Sequence, residues 1–581
     1  MLSNDLKTAH LAKSKILILL IVPLLLYLAL LPVSPLIEPD EARYSDIPSL
    51  MNRTGDYVTP HLDHLIYLEK PPLCYWATSL FFEVFGENEF SSRLLAALCG
   101  WGCLILVYKM GSFLQDEKTG LYSAAVLSTS LSFFIFSRMN LLDIPLTFFV
   151  CLATWAGYRC FAENRQRKGW LYLFYLASGL AFLTKGLIGI VFPFAITTIW
   201  LFACRRWRDA LRLFSPVGMI LFFMISCPWV ILAQRANKDF LWFFFIQEHF
   251  LRYTTTIHGR TGIFLYYVPV ILFGAMPWSA FLMKSIKGGI ENRTLLFRKA
   301  DRLFLMIWIT FIFVFFSFSS SKLMPYILPI FLPIALLIGR LFSWHEDQPV
   351  NLLKGVPKNL LHHLPVILQS LLFITLLLLP PFLENRKLGK ALMIMPIDHW
   401  WRWVLIPILF QLLTIFLPDL VERRWREGWF LTAYILSAFF LAALVFPISK
   451  FLSPYKSAYP VARAIKKLLP VDQELFQFRT SLYGIDFYDK IRTPRVDASG
   501  ELRFGIEKLS PNERTHYFLS SEAFFKLCEG KGTVYCVTQN SKNVAELKRR
   551  VHNMEVIWQN GVFYFLRLRD HDPPEHPEPG L

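Results

Sequence analysis

The stretch Glu38-Pro-Asp-Glu-Ala-Arg-Tyr44, with Tyr67-Leu-Glu-Lys-Pro-Pro72 soon after it, decides how the rest of the chain is interpreted. Both segments carry ionisable side chains, yet long apolar runs such as Ile16–Leu31 and Leu323–Ile338 lie before and after them. Charged groups beside a membrane lose hydration energy, so a cluster of them predicts a functional site.

The composition is that of a chain that crosses a membrane several times. Of the 581 residues, 54% are hydrophobic and 16% aromatic, which is too apolar for an ordinary soluble enzyme. Hydropathy predicts a mainly α-helical, polytopic membrane protein with about 13 transmembrane helices. The predicted spans cover residues 15–35, 92–112, 119–137, 142–161, 170–185, 187–203, 214–233, 262–283, 302–319, 323–341, 363–382, 402–418 and 429–447.

The distribution of charge predicts the orientation. If the N-terminus with Lys7, Lys13 and Lys15 is cytoplasmic, every second loop should be basic, and those loops are rich in Arg and Lys. The net charge of +17 is therefore explained largely by the positive-inside rule, and dispersal of the charges among the spans speaks against nucleic acid as a partner.

The chain is predicted to have three parts. Residues 1–448 form a transmembrane domain, in which 36–91 are the first outer loop with interfacial helices at Glu41–Asn52 and Leu73–Phe85. Residues 449–569 form a small outer α/β domain, and 570–581 are a disordered tail. Strands are expected in the α/β domain at Glu474–Phe478, Thr515–Leu519, Gly532–Val537 and Val556–Leu566.

Two further sequence features bear on the outer domain and the donor. Cys528 and Cys536 either form a disulfide in an oxidising compartment or stay free. The chain lacks a glycine-rich phosphate loop and a dinucleotide fingerprint, so a sugar nucleotide is not the expected donor.

Three carboxylates are candidates for chemistry. Asp40 and Glu41 are adjacent, so they point to different sides of a helix; one is expected in a cavity and the other in support of the fold. The alternative is that both acids simply favour the positive end of a helix dipole. Asp143 opens a predicted span, where either catalysis or helix capping explains it.

Several outer-loop cations are candidates for binding an anion. Lys70 is either a snorkelling lysine or a cation that receives a lipid phosphate, whose charge grows as its bond to a sugar breaks. Arg252 and Arg260 lie in another outer loop, where Arg suits bidentate phosphate capture, although Glu248 and Arg252 could also pair with each other.

A third outer loop adds Lys322 and the phenol of Tyr326. The ionisable candidates, Asp143 and Lys185 included, fall on one predicted side of the membrane, while the spans are nearly free of charge. This arrangement indicates chemistry at the outer interface and disfavours a transporter, which would place such groups near the membrane midplane.

A series of short motifs resembles the aminoarabinose lipid A transferases, a family of GT-C glycosyltransferases related to the protein O-mannosyltransferases. The resemblance runs in order from about Glu38 to Ile338. Its motifs are Pro39-Asp-Glu-Ala-Arg-Tyr-Ser-Asp-Ile47, Gly55-Asp-Tyr57, Leu68-Glu-Lys-Pro71, Leu142-Asp-Ile-Pro145, Thr184-Lys-Gly186, Cys227-Pro-Trp229, Glu248-His-Phe-Leu-Arg-Tyr253, Tyr266-Tyr-Val-Pro-Val270 and Ser321-Lys-Leu-Met-Pro-Tyr326.

The resemblance implies a reaction at the periplasmic face of the bacterial inner membrane. Such enzymes take 4-amino-4-deoxy-L-arabinose from a polyprenyl-phosphate donor, undecaprenyl phosphate, and attach it to lipid A phosphate. It implies that Asp40 is the catalytic carboxylate, that Lys70 binds the carrier phosphate with Arg43 and Arg252 as helpers, and that Tyr326 comes from an outer loop. It also implies a weak divalent-metal site at Glu69 and His249; the residues themselves require no cofactor.

The motifs leave the acceptor open. A phosphate acceptor is already anionic, whereas a protein or glycan hydroxyl would require Asp40 to take a proton. A related GT-C transferase with another polyprenyl-linked sugar is therefore the main alternative, and a lipid flippase is a second.

Overall fold

The computed structural model describes residues 21–63, 65–162, 168–251, 262–279, 281–282, 285, 297–347, 434–435, 438, 442, 453–498, 502–530 and 532–569. The chain divides into two compact units. Unit 1 comprises residues 1–32, 69–77 and 93–447, and unit 2 comprises residues 33–68, 78–92 and 448–581. Unit 2 therefore includes most of the first outer loop, which the sequence assigned to the membrane domain.

The described part of the chain is mainly helical. The helices are α1 (Ile21–Val33), α2 (Asp40–Thr54), α3 (Leu73–Phe85), α4 (Glu89–Leu114), α5 (Glu117–Ser128), α6 (Leu131–Phe136), α7 (Asp143–Phe161), α8 (Lys168–Lys185), α9 (Ile188–Ala203), α10 (Trp207–Leu213), α11 (Pro216–Ala236), α12 (Tyr267–Gly274), α13 (Lys299–Phe318), α14 (Phe331–Asp347), α15 (Ser453–Lys456), α16 (Tyr459–Leu468), α17 (Tyr483–Asp489), α18 (Arg503–Lys508), α19 (Pro511–Tyr517), α20 (Ser521–Gly530) and α21 (Ser541–Arg550). A π-helical segment covers Trp242–Leu251, and a 3-10 helix covers Met324–Ile330.

Five described segments are long and apolar enough to cross a membrane, namely α4, α7, α11, α13 and Met324–Ser343. The protein is thus a multi-pass membrane protein. Helices α7, α8 and α9 pack against one another, and α11 packs on α8. The predicted spans at 363–382 and 402–418, and most of that at 429–447, lie outside the described residues.

The predicted span over 119–137 consists of two helices, α5 and α6, with a break at Thr129 and Ser130. The hydroxyls of Thr129 and Ser130 donate to the carbonyl oxygens of Ala125 and Val126, both at 2.7 Å. Side-chain bonds of this kind compete with the regular backbone ladder and favour a bend.

The helices predicted in the first outer loop are present. Helix α2 ends at Gly55, whose φ of 72° is the left-handed conformation that favours glycine at a helix C-terminus. Helix α3 covers Leu73–Phe85 as predicted, directly after the Pro71-Pro72 pair. Between them, β1 (His61–Leu62) and β2 (Leu65–Ile66) form a two-stranded antiparallel sheet.

A six-stranded sheet forms the centre of the C-terminal part of unit 2. Its strands are β3 (Leu475–Phe478), β4 (Arg495–Val496), β5 (Phe518–Leu519), β6 (Val534–Gln539), β7 (Asn553–Gln559) and β8 (Phe563–Arg569). The order is β5-β4-β3-β6-β8-β7, with parallel pairing from β5 to β6 and antiparallel pairing from β6 to β7.

Side chains alternate between the two faces of this sheet, as strand geometry requires. On β6, Val534 and Cys536 belong to one buried cluster, and Tyr535 and Val537 to another. Cys528 lies in the same cluster as Cys536, and both are buried free thiols in this structure.

Two predicted strands are wrong. The run Val556–Leu566 is a hairpin, because Asn560 and Gly561 turn the chain between β7 and β8, with Gly561 at a φ of 86°. The predicted strand Thr515–Leu519 keeps only its last two residues, since Ser510 and Glu513 form a capping box that starts α19.

The first outer loop is fastened to the C-terminal part within unit 2. The Glu38 carboxylate accepts hydrogen bonds from the backbone N–H of Gly484 at 2.6 Å and of Tyr483 at 3.3 Å. Arg495 on β4 contacts Asp63 at 3.1 Å and Asp486 at 3.3 Å. Burial raises the pKa of Asp486, and Arg495 opposes that rise.

Candidate active site

Unit 1 contains a cavity of about 500 Å³ with a mostly apolar wall. A few charged side chains converge on it, as is usual for a small-molecule site. The cavity is lined by Glu69, Lys70, Lys185, Leu187, Ile188, Val191, Phe245, Ile246, Glu248, His249, Phe250, Phe315, Phe316, Ser319, Ser321 and Tyr326.

Lys70 is a buried lysine on the wall of this cavity. Its ammonium donates to the Glu248 carboxylate at 3.3 Å and to the backbone oxygen of Glu69 at 3.0 Å, and the Glu69 carboxylate lies 3.6 Å away. The Pro-Pro pair that follows Lys70 precedes α3. A predicted phosphate-binding cation thus lies in a cavity, next to two carboxylates.

A second cation lies on the same wall. Lys185 ends α8, and its ammonium contacts the carboxylate of Asp143, the first residue of α7, at 2.6 Å. The ammonium also lies 4.9 Å from the ring centre of Tyr326, which lines the cavity. Asp143 therefore holds Lys185 in place, and its catalytic role stays a prediction.

His249 joins the π-helical segment to the turn between α8 and α9. Its Nδ1 donates to the carbonyl oxygen of Phe244 at 2.6 Å, and its Nε2 accepts from the backbone N–H of Leu187 at 3.2 Å. Burial lowers the pKa of His249, which favours this neutral form. Gly186 has a φ of 83°, and a Cβ there would strike the imidazole.

This geometry does not fit the metal site predicted from Glu69 and His249. Both line the cavity, but both ring nitrogens of His249 already take part in hydrogen bonds. Within the described ranges, no group of three or more His, Cys, Asp or Glu side chains is placed to hold a metal ion.

Lys322 is buried at the end of α13. Its ammonium donates to the carbonyl oxygens of Ser317 at 2.9 Å and Ser319 at 2.6 Å, in addition to a longer contact with Phe316. Burial lowers the pKa of Lys322. The ammonium thus caps a helix C-terminus.

The acidic pair of the first motif belongs to unit 2. The side chain of Asp40 is 47% exposed and pairs with the buried guanidinium of Arg43, whose carbon lies 5.0 Å from the ring centre of Tyr44. Glu41 is buried, and its carboxylate accepts from the backbone N–H of Ile37 at 3.0 Å. Glu41 therefore supports the start of α2, whereas the placement of Asp40 in a cavity stays a prediction.

Arg252 and Arg260 lie outside the described residues. The sequence did not single out Glu248 as a site residue, because Arg252, four residues further on, offered a simple helical pairing. The signal that could have indicated Glu248 was the motif Glu248-His-Phe-Leu-Arg-Tyr253, which also contains the candidate residue His249.

Comparisons with known proteins agree on one kind of enzyme. The family profile for dolichyl-phosphate-mannose-protein mannosyltransferases matches residues 69–232. The undecaprenyl phosphate-alpha-4-amino-4-deoxy-L-arabinose arabinosyl transferase of Erwinia tasmaniensis is 30% identical over 434 residues, which are 70% of this chain and 77% of that protein. The protein of the same name from Aeromonas salmonicida is 32% identical over 319 residues, which are 54% of this chain and 58% of that protein.

A solved structure shows the same fold. The crystal structure of ArnT from Cupriavidus metallidurans bound to undecaprenyl phosphate has a TM-score of 0.79 and 24% sequence identity, with 95% of this chain and 97% of that chain covered. The fold, the charged cavity and these similarities define a membrane glycosyltransferase. In view of the Erwinia relative, the chain belongs to the family of undecaprenyl phosphate-alpha-4-amino-4-deoxy-L-arabinose arabinosyl transferases, which confirms the resemblance found in the motifs.

Proposed function

We propose that this protein transfers 4-amino-4-deoxy-L-arabinose from undecaprenyl phosphate to a phosphate of lipid A, at the periplasmic face of the bacterial inner membrane. Family membership supports the sugar and the carrier. The observation that carries the proposal is the cavity of unit 1, where Lys70 and Lys185 stand in an otherwise mostly apolar wall. Such a wall suits the junction between an isoprenoid chain and its phosphate.

In the proposed reaction, an oxygen of the acceptor phosphate forms a bond to C1 of the sugar while the bond from C1 to the carrier phosphate breaks. The departing undecaprenyl phosphate gains negative charge, which Lys70 stabilises electrostatically. Asp143 holds Lys185 in position for the same task. Further residues are proposed to bind the carrier phosphate. They are Tyr326, Arg43, Lys322 and the two arginines of the predicted outer loop that follows α11, Arg252 and Arg260.

Asp40 is the proposed catalytic carboxylate. A phosphate acceptor carries no proton that must be removed, so Asp40 acts by steering the acceptor or by stabilising positive charge on the sugar ring. Its exposure and its pairing with Arg43 are compatible with either role.

The proposed topology has about 13 spans, counted by hydropathy. The transmembrane domain covers residues 1–448, with the loop 36–91 outside the membrane on the periplasmic side. Residues 449–569 form a periplasmic α/β domain, and 570–581 are a disordered tail.

Mass spectrometry of lipid A tests the proposal. In a bacterial host without a transferase of this kind but with the donor lipid, expression of the protein should add an amino-pentose to lipid A. Unmodified lipid A, with the protein present in the membrane, would refute it. Asp40→Asn tests the acceptor chemistry, because activity that survives in this variant with a phosphate acceptor argues against an obligatory base.

A further inference from the structure

The connection between α9 and α11 is rich in arginine. Within eight residues it contains four arginines and one carboxylate, namely Arg205, Arg206, Arg208, Arg212 and Asp209. The connection includes α10 and leads into α11, which is one of the segments able to cross a membrane. Charges at the end of such a segment lie near the surface of the bilayer. None of these side chains lines the cavity of unit 1, so the proposed sugar transfer does not explain them.

Asp209 compensates only part of this charge. Its carboxylate contacts the guanidinium of Arg206 at 2.7 Å and that of Arg212 at 3.0 Å. Arg205 and Arg208 are exposed, and neither pairs with a carboxylate in the part of the chain that the structure describes. Two arginines are therefore accessible to an anion that comes from outside the protein.

An apolar stripe lies on α10 beside these arginines, and it consists of Trp207, Leu211 and Phe214. The three residues follow one another at spacings of four and three, so they share one face of the helix, and all three are exposed. Ala210 and Leu213 are buried on another face of the helix, where α10 packs against α9. Large apolar side chains exposed together usually indicate contact with a lipid or a partner.

The arginines flank the apolar stripe. The guanidinium carbon of Arg208 lies 5.3 Å from the ring centre of Trp207, within the range of a cation–π contact. Arg212 is four residues further on and therefore lies on the same face as Arg208. Helices that bind the surface of an anionic bilayer have this arrangement, with cations beside an apolar face.

We propose that α10 and Arg205 form a binding surface for an anionic phospholipid, whose acyl chains pack on the apolar stripe. Arg205 and Arg208 bind the phosphate of the headgroup, because a guanidinium donates two parallel hydrogen bonds to such a group. The arginines repel the ammonium of a zwitterionic headgroup, so a lipid with a net negative charge is preferred. A soluble anion would pair with the arginines but leave the apolar stripe in water. The surface is independent of the proposed sugar transfer.

Native mass spectrometry of the full-length protein tests this inference. The protein is equilibrated with phosphatidylglycerol and phosphatidylcholine that have identical acyl chains, and the ratio of the two lipids retained is measured. The wild type should prefer phosphatidylglycerol. Arg205→Gln combined with Arg208→Gln should lower this preference by about 10-fold or more, because two of the charges that attract the headgroup are removed. A preference equal to that of the wild type would overturn the proposal.

Lys548→Gln combined with Arg549→Gln is the matched control. Both side chains are exposed on α21, so the control removes the same amount of charge. No large apolar side chain is exposed among the ten residues of α21, all of which the structure describes. The control should keep the lipid preference within about twofold of the wild type, because charge attracts a headgroup only at short range. An equal loss in the control would show that net charge alone sets the preference, which would overturn the proposal.

Leu211→Ser distinguishes a lipid from a soluble anion. It should weaken the retention of both lipids by about threefold or more, because an apolar contact with the acyl chains is lost. Inorganic phosphate should not displace phosphatidylglycerol from the wild type. Displacement by inorganic phosphate, or normal retention in Leu211→Ser, would overturn the assignment to a lipid.

If the double arginine variant does not fold, the single variants Arg205→Gln and Arg208→Gln take its place. Each should lower the preference for phosphatidylglycerol by about threefold, since each removes one charge. An unchanged preference in both single variants would overturn the proposal.

Discussion

Two buried groups of charges, one in each unit, have nearly the same chemistry. In unit 1, Lys70 lies beside Glu248 and Glu69, and in unit 2, Arg495 lies between Asp63 and Asp486. The first group lines a cavity of about 500 Å³. Arg495 is 1% exposed and lies over the ring of Tyr483. A cation beside a cavity is able to exchange its partner for a ligand, while an enclosed cation holds chain segments together.

The largest effect is expected for Lys70→Met, which removes the ammonium but keeps most of the side-chain volume. Transfer should fall by at least about 100-fold, because the variant lacks the preplaced positive charge that stabilises the leaving phosphate. Lipid A modification by the purified enzyme in liposomes measures this. Thermal unfolding should show a folded variant, and wild-type rates would contradict the assigned role of Lys70.

Arg495→Met should lower the stability of the fold and not the rate of sugar transfer by the folded protein. It leaves Asp63 and Asp486 buried without their cation, so the free energy of unfolding should fall by about 3–5 kcal/mol. Thermal unfolding in detergent measures the change.

The matched control is Arg479→Met on the surface of the same unit. Arg479 pairs with Glu546 and Asp497, but its side chain is 38% exposed. This change should cost less than about 1 kcal/mol. Equal stability losses in the two variants would show that the enclosure of Arg495 has no special effect.

Lys322→Met sharpens the comparison within unit 1. It removes the hydrogen bonds to the end of α13, which should lower stability by about 1–3 kcal/mol. Transfer by the folded fraction should fall far less than in Lys70→Met, because Lys322 is not among the residues that line the cavity. Loss of transfer as complete as in Lys70→Met would show that Lys322 contributes as much as Lys70 to binding the phosphate.

The smallest effect is a pH dependence that arises from Glu38. Burial raises the pKa of Glu38 from its usual 4.5 to about 8, although the N–H groups of Gly484 and Tyr483 oppose this. A carboxyl with a raised pKa stabilises the fold fully below about pH 4.5, and this contribution is lost as the pH rises through about 8.

Glu38→Gln, which does not titrate, isolates this contribution. Between about pH 6 and pH 9, the unfolding temperature of the wild type should fall by several degrees relative to that of Glu38→Gln. Parallel pH profiles for the two proteins would show that the two N–H donors compensate the buried carboxylate completely.

Local signals predicted those parts of the fold that depend on neighbouring residues. Gly55 and the Pro71-Pro72 pair fixed the end of α2 and the start of α3. The two wrong strand predictions also lie beside local signals. These are the capping box at Ser510 and the turn at Asn560 and Gly561.

The candidate site was predictable only in part. Lys70 and Lys322 look alike in sequence, since each lies in an outer loop shortly before a proline. Packing distinguishes them, because one ammonium lines a cavity and the other caps a helix. The pairing of Lys70 with Glu248 joins residues 178 positions apart, so no sequence spacing indicates it.

Gly186 has a consequence for related sequences. A Cβ at this position would collide with the imidazole of His249, so a larger residue here requires a change at position 249. We expect the two residues to co-vary among homologues, with a residue larger than glycine at the first position accompanied by a side chain smaller than histidine at the second. Such a pair of residues would identify homologues in which different side chains line this part of the cavity.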